Sequence, residues 1–155
     1  MTTQGFDGLP PQPFVEFWVK GDQAPWQVYT RQGRPSIGIL AKQAWQAQIQ
    51  AAAKEAMAGR EPITGPVRLT IRCYRSLPNW APTGDNARNR ARSRWIARHL
   101  LMYPDTTNYL KAAEDALQGI IMVNDSQDVE VVASKGYSFG EPYTIIKVET
   151  LSKSG

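Results

Sequence analysis

Pro104-Asp105-Thr106-Thr107-Asn108-Tyr109-Leu110-Lys111, a run closing at Gly119, and Ile120-Ile121-Met122-Val123-Asn124-Asp125-Ser126-Gln127 decide how this chain is read. Pro104 keeps the residue before it extended, and Asp105 falls where a helix takes its N-cap. From there Leu110, Ala113 and Leu117 recur on one side, while Asn108, Lys111, Asp115 and Gln118 form a polar stripe on the other. The spacing predicts a helix over Thr106–Gln118, closed by Gly119. From Asp105 to Gln118 that helix is about 20 Å long at 1.5 Å per residue. An extended return through Ile120–Asp125 spans about 20 Å at 3.3 Å per residue. A tight reversal at Gly119 then brings Asp125 back beside Asp105.

Two readings of that juxtaposition stay open on spacing alone. In one, Asp105 and Asp125 bind a hard divalent cation, since magnesium prefers carboxylate oxygens and keeps several waters. The metal would activate a water and neutralise charge on a phosphodiester, with Lys111 stabilising the transition state or the leaving group. In the other, Asp105 is an N-cap, Lys111 and Asp115 are an i,i+4 ion pair, and Asn124-Asp125 is a turn.

The rest of the chain supplies a sheet for this unit. Phe14–Lys20 alternates, with Val15, Phe17 and Val19 on one face and Glu16, Trp18 and Lys20 on the other, as a half-buried strand does. Gly21–Pro35 reads as a loop with a hairpin around Arg31–Arg34. Trp45, Ile49, Ala52, Ala53, Ala56 and Met57 recur at helical spacing, which predicts a helix over Ala41–Ala58 capped by Gly59. Val67–Tyr74 is a second strand with Val67, Leu69, Ile71 and Cys73 inward and Arg68, Thr70 and Arg72 outward. Val129–Ala133 and Tyr143–Glu149 are two more, joined by a turn through Gly136 and Gly140. The order is β-α-β-α-β-β. One-sided alternation predicts an α+β fold of two layers, a mixed or antiparallel sheet with helices packed on one face.

At 155 residues the chain is one domain. The reading assigns a loose N-terminal segment to 1–13, a single domain to 14–150 with a basic insert at 79–102, and a loose tail to 151–155. Its single cysteine, Cys73, cannot form an intrachain disulfide, and a reducing compartment is the natural reading. With one histidine, His99, beside that cysteine, zinc coordination and Ser-His-Asp or Cys-His catalysis are close to excluded. No apolar run approaches a membrane span and no signal pattern opens the chain, so a soluble cytoplasmic protein with no membrane partner is expected. The formal net charge of +4 permits a nucleic-acid partner.

The decisive residues resemble the RusA family of Holliday-junction resolvases, many of them encoded by prophages. The family signature is similar to Pro-Asp-x-Asp-Asn, two apolar residues and Lys, then Asp-Ala-Leu-x-Gly, then Asp-Asp-x-Gln at the start of a strand. Here it reads Pro104-Asp105-Thr106-Thr107-Asn108-Tyr109-Leu110-Lys111, Asp115-Ala116-Leu117-Gln118-Gly119 and Asn124-Asp125-Ser126-Gln127. The looser match spans most of the chain: Gly65-Pro66-Val67 opens the second strand, Leu77-Pro78-Asn79-Trp80 precedes the basic insert, and Lys135 falls where the family often has a lysine. The resemblance implies a magnesium-dependent endodeoxyribonuclease, with manganese as the other candidate ion, acting on four-way DNA junctions. It implies Asp105 and Asp125 as metal ligands and Lys111 as catalytic, with Asn108, Asp115 and Gln127 as supporting residues. A junction has two-fold symmetry and two strands to cut, so a homodimer is implied as well. Two positions depart from the pattern. Thr107 stands where the family has its second aspartate, and Asn124 where it has the first of its Asp-Asp pair. Thr107 can orient a metal-bound water but supplies no charge, Asn124 can only support, and Asp115 and Asp128 are the nearest substitutes in sequence. A catalytically impaired junction-binding protein is therefore the alternative to the enzyme, and a metal-independent scaffold whose acids are caps is the third reading.

Arg88, Arg90, Arg92, Arg94 and Arg98 crowd the insert, with Trp80 and Trp95 interleaved. Such a segment can neutralise several phosphates, and with Lys135 it makes the candidate DNA-binding set. A solvated charged helix without a partner is the plainer alternative. With five tryptophans in a domain of this size, Trp80 and Trp95 are expected to pack rather than to stack on bases.

Overall fold

A computed structural model of the chain describes residues 11–24, 30–31, 34–35, 37–76 and 106–151. The basic insert at 79–102, with Arg88, Arg90, Arg92, Arg94 and Arg98, and also Asp105, lies outside the described residues.

The fold is α+β: β1 (Pro11–Lys20), a short hairpin of β2 (Thr30–Arg31) and β3 (Arg34–Pro35), α1 (Ile37–Met57), β4 (Val67–Ser76), α2 (Thr106–Leu117), β5 (Asp128–Ser138) and β6 (Tyr143–Leu151). The four long strands form one sheet in the order β1-β6-β4-β5. β6 is antiparallel to both β1 and β4, whereas β4 and β5 are parallel. That parallel pair needs a crossover, and α2 lies within it. The sheet is therefore mixed, with both helices against one face, as the alternation predicted.

β1, β4 and β6 bury the face their period assigns, whereas β5 leaves Val129, Val131 and Val132 exposed. Val15, Phe17 and Val19 of β1, Val67, Leu69, Ile71 and Cys73 of β4, and Ile146 and Val148 of β6 join one core with Trp45, Ile49, Ala53 and Met57 of α1. α2 contributes Tyr109, Ala112, Ala113, Ala116 and Leu117. Its alanines let the helix axis come close, while Tyr109 meets Trp45 edge to face, ring centroids 5.9 Å apart. Gln46 Nε2 donates to the Ala112 carbonyl at 2.9 Å, a polar tie between the two helices.

Several boundaries differ from the sequence expectation. β1 starts at Pro11 and β6 ends on buried Leu151, so strand pairing claims residues that composition assigned to loose ends. Pro11 and Pro13 are tolerated because β1 is an edge strand, and the register shifts between Pro13 and Val15. α1 begins four residues before Ala41 and ends at Met57, with Ala58 already left-handed at φ 49°. β5 continues past Ala133 to Ser138, so Gly136 is a strand residue and not part of a turn. It lies opposite Tyr74, whose ring sits 3.2 Å from where a Cβ on Gly136 would be. The glycine makes room for that ring. Tyr74 stacks on Tyr143 at 4.8 Å and Tyr143 on Trp18 at 4.9 Å, an aromatic row across the helix-free face. Among the described residues no helix is long and apolar enough to cross a membrane.

Candidate catalytic and metal centre

α2 carries most of the decisive motif. Thr107, Lys111 and Asp115 are exposed, and Asn108 is half-buried. Arg75 Nη1 of β4 donates to the Tyr109 hydroxyl at 3.2 Å, which pins the first half of α2 to the sheet. Lys135 lies in β5 opposite Cys73 and is half-buried.

The segment after α2 does not return as an extended strand. Gly119, at φ +83°, ends the helix, and the Ile120 and Ile121 amides both donate back to the Leu117 carbonyl. Gly119 N–H donates to Met122 O at 2.6 Å, and Ile63 N–H to Ile121 O at 2.7 Å. These backbone bonds fold Ile120–Met122 into a compact turn against the Ile63 segment, where Ile121 and Met122 are fully buried. An extended return would leave those two side chains on opposite faces; the turn buries both.

Asp125 then opens a 3-10 turn over Asp125–Gln127. Asn124 caps it, its Oδ1 accepting the Ser126 amide at 2.9 Å. Gln127 uses its whole side-chain amide. Oε1 accepts the Val123 and Asn124 amides at 2.8 and 2.9 Å, and Nε2 donates to the carbonyls of Ile63 and Gly65 at 2.7 and 2.9 Å. The turn that presents exposed Asp125 is thus fastened to the segment leading into β4. Asn124 works here as a cap, and Gln127 as the anchor of the turn.

Two further acids converge on this place. Glu114 faces Asp128, the first residue of β5, and the charges of Asp125 and Asp115 also reach Glu114. Burial first, then the hydrogen bond with Asp128, then the charges of Asp128, Asp125 and Asp115 push the Glu114 carboxyl up to about 9. Burial and the Asp125 charge likewise raise Asp128, against the opposing effect of its bond to Glu114. Both carboxylate oxygens of Asp128 are closed off from solvent and meet no donor while Glu114 is ionised. Only a proton held between the two groups, or a cation, satisfies them. No group of three or more His, Cys, Asp or Glu side chains arranged around one ion occurs among the described residues.

Glu114 is the residue that sequence reasoning passed over. The signal was there: seven residues after Thr107, it shares that residue's side of α2, and an acid beside Asp115 in an alanine-rich helix is conspicuous. The polar stripe drawn through Asn108, Lys111, Asp115 and Gln118 runs one step to its side. The Asp105–Asp125 juxtaposition involves a residue outside the described set. What the described residues bring together is Asp125, Asp128 and Glu114.

A family model described as Endodeoxyribonuclease RusA matches residues 19–149. The protein YqaN of Bacillus subtilis (strain 168), which carries the description uncharacterized, is 33% identical to the chain over 90 residues. That stretch is 58% of this chain and 61% of YqaN, so the match spans less than two thirds of its curated relative.

Proposed function

The chain belongs to the endodeoxyribonuclease RusA family, and from that premise we propose that it is a magnesium-dependent endonuclease resolving four-way DNA junctions. The observation that carries the reading is the Asp125 turn: a motif aspartate is exposed to solvent, yet the turn that carries it is fastened by the Gln127 side chain, which accepts from the Val123 and Asn124 amides and donates to the Ile63 and Gly65 carbonyls.

In this reading Asp105 and Asp125 hold the divalent ion, with Thr107 and Asn124 in support. A bound magnesium or manganese ion would supply charge neutralisation at the scissile phosphodiester and an acidified water. Lys111, exposed on α2, places an ammonium to stabilise charge on the phosphoryl oxygens or the leaving oxygen. Asn108 and Asp115 flank it on the same helix and shape its surroundings. Arg88, Arg90, Arg92, Arg94, Arg98 and Lys135 neutralise phosphates of the junction arms, which makes binding steeply salt-dependent. Two copies of the chain, related by a two-fold axis, cut opposed strands of a two-fold-symmetric substrate.

A second reading has its own observation. Thr107 is exposed on α2 at the position of a family acid and contributes no charge. Loss of one negative ligand weakens a hard-cation site, and a protein that binds junctions without cutting them would keep everything else.

One experiment separates the two. A synthetic four-way junction is incubated with the full chain, with and without magnesium or manganese. Symmetric nicks that vanish in Asp105→Asn and Asp125→Asn are the expected result. Tight, salt-sensitive binding with no nicking in either ion would overturn the enzyme reading in favour of the second. Thr107→Asp then grades the threonine: a large gain in cleavage marks a missing ligand, and unchanged cleavage means another group serves.

A further inference from the structure

The helix-free face of the sheet divides into two halves. On one, charges cancel: Arg68 meets Glu130 at 2.6 Å and Glu149 at 3.9 Å, and Lys147 meets Glu149 at 3.8 Å. On the other, the strand register sets Lys20, Tyr143, Tyr74 and Gly136 in one row, and Trp18, Ile145, Arg72 and Ser134 in the next. Lys20 and Arg72 are the charged members of those two rows. Both are exposed, and neither forms an ion pair with a described residue. Between them runs the aromatic row. Tyr74 stacks on Tyr143 with 26° between the ring planes, and Tyr143 on Trp18 with 13°. The stack ends on edge strand β1 at Trp18, whose side chain stays 58% exposed. A single exposed apolar side chain needs no explanation. A near-parallel stack of three rings beside two unpaired cations is different: it joins ring faces for bases to charge for phosphates, the two features that hold a nucleic-acid single strand.

We propose that this half of the face binds a short unpaired stretch of DNA, with a base continuing the stack on Trp18 and phosphates meeting Lys20 and Arg72. Trp18 and Arg72 flank Ile145, which sets their strands about 10 Å apart, two inter-strand spacings. Lys20 follows Trp18 by two residues on the same side of β1, about 7 Å along the strand. The indole thus has a long, flexible cation on each of two sides. Beside Arg72 an open groove over Thr70, Val132 and Ile145 gives the sugar-phosphate chain a path across the sheet. Glu16 bounds the surface: it is the next residue of β1 on this face and lies opposite Lys147, where the charges cancel. Unpaired bases are the ones selected, because in continuous duplex both faces of every base are already stacked on neighbours. α2 packs on the opposite face of the sheet, so this surface is separate from the motif residues on that helix. The choice of DNA rests on the nuclease reading; the residues and the preference for unpaired bases do not.

The test is fluorescence anisotropy of a labelled oligothymidylate about 12 nucleotides long, within the site sizes of single-strand binders, titrated with the full chain in chelator so that no strand is cut. Trp18→Ala is expected to weaken binding about five- to a hundredfold, the range that loss of one stacked base covers, and Trp18→Phe to recover part of that loss. Arg72→Gln and Lys20→Gln are each expected to lower the slope of log affinity against log salt by about 0.7, one phosphate contact on a single strand. Glu16→Gln, which removes an acid beside the surface, is expected to cost no affinity. Circular dichroism confirms that each variant is folded, and exposed Arg72 and Lys20 keep the test open if Trp18→Ala is not. Oligothymidylate affinity unchanged in Trp18→Ala would overturn the proposal. So would a Trp18→Ala that alters self-association in sedimentation while binding the oligonucleotide as wild type does, since the face would then be an interface between copies. A wild type that nicks junctions yet binds single strands without Trp18 would remove this surface and leave the resolvase reading. Trp18-dependent binding in a chain that never nicks would do the reverse.

Discussion

Gln127 Nε2 donates to the carbonyl oxygen of Ile63 at 2.7 Å, across 64 positions of sequence. The bond ties the turn of Asp125 to the chain entering β4, and so to the middle of the sheet. Gln127→Ala removes both donors to the Ile63 and Gly65 carbonyls and the acceptor for the Val123 and Asn124 amides. The expected loss is about 1–3 kcal/mol of unfolding free energy, the cost of leaving part-buried partners unsatisfied. Urea denaturation measures it. Junction cleavage is expected to fall further than stability alone explains, since Asp125 loses its fixed position; equal losses in both would mean that Gln127 only stabilises.

The Glu114–Asp128 pair sets a pH dependence whose direction is fixed. Glu114 is raised from an ordinary value of 4.5 to about 9, and Asp128 is raised too. Between those limits the folded chain keeps a proton that the unfolded chain has lost, so the unfolded state binds fewer protons and stability falls as pH rises. The stabilising protonation is fully present below about 4.5 and gone above about 9. Thermal melts in chelator at pH 5, 7 and 9 are expected to show a declining Tm for wild type and a flatter profile for Glu114→Gln. A wild-type Tm that climbs from pH 5 to pH 9 by an amount Glu114→Gln matches would contradict the assignment.

Cys73 is 2% exposed, and burial pushes its thiol up to about 12, with Thr144 and Arg75 acting weakly the other way. The thiolate is the reactive form. Alkylation by iodoacetamide at pH 8 is therefore expected to be negligible in the native protein and prompt in urea, as intact mass reads directly. Rapid labelling without denaturant would mean that β4 opens on its own.

Leu69 is completely buried in β4 between β6 and β5. Leu69→Ala is expected to cost about 2–5 kcal/mol, from lost transfer free energy plus the cavity left behind. For a domain whose whole stability is roughly 5–15 kcal/mol, chemical denaturation will register that easily.

Gly136 faces Tyr74 so closely that a Cβ would lie 3.2 Å from its ring. Gly136→Val is expected to push that ring away and disturb the Tyr74–Tyr143–Trp18 row. Tryptophan emission should shift relative to wild type, and Gly136→Val in a Tyr74→Ala background should be better tolerated than either change predicts alone.

How far the sequence could be read depended on the range of the forces concerned. Period-two alternation in Val15, Phe17 and Val19 and in Val67, Leu69, Ile71 and Cys73 is local, and the sheet buries those faces as the pattern requires. The helical recurrence of Trp45, Ile49, Ala53 and Met57 worked for the same reason. Boundaries were legible only in part. Pro11 and Leu151 become strand residues because each finds a partner in the other, Pro11 opposite Leu151 in the register of β1 and β6. Gly136 looked like a turn residue and is a strand glycine, because what it accommodates is a tyrosine from another strand.

The site divides along the same line. The motif from Asp105 through Lys111 to Asp125 and Gln127 is contiguous enough in sequence to suggest the chemistry, the family and the helix that carries it. Sequence by itself determined that much, because helix periodicity, caps and motif spacing are properties of neighbouring residues. The pairing of Glu114 with Asp128 depends on where β5 starts relative to α2, and the seat of Asp125 depends on carbonyls of Ile63 and Gly65. Those are contacts across the fold, set by the sheet order and by the turn at Gly119, and only the tertiary structure decides them.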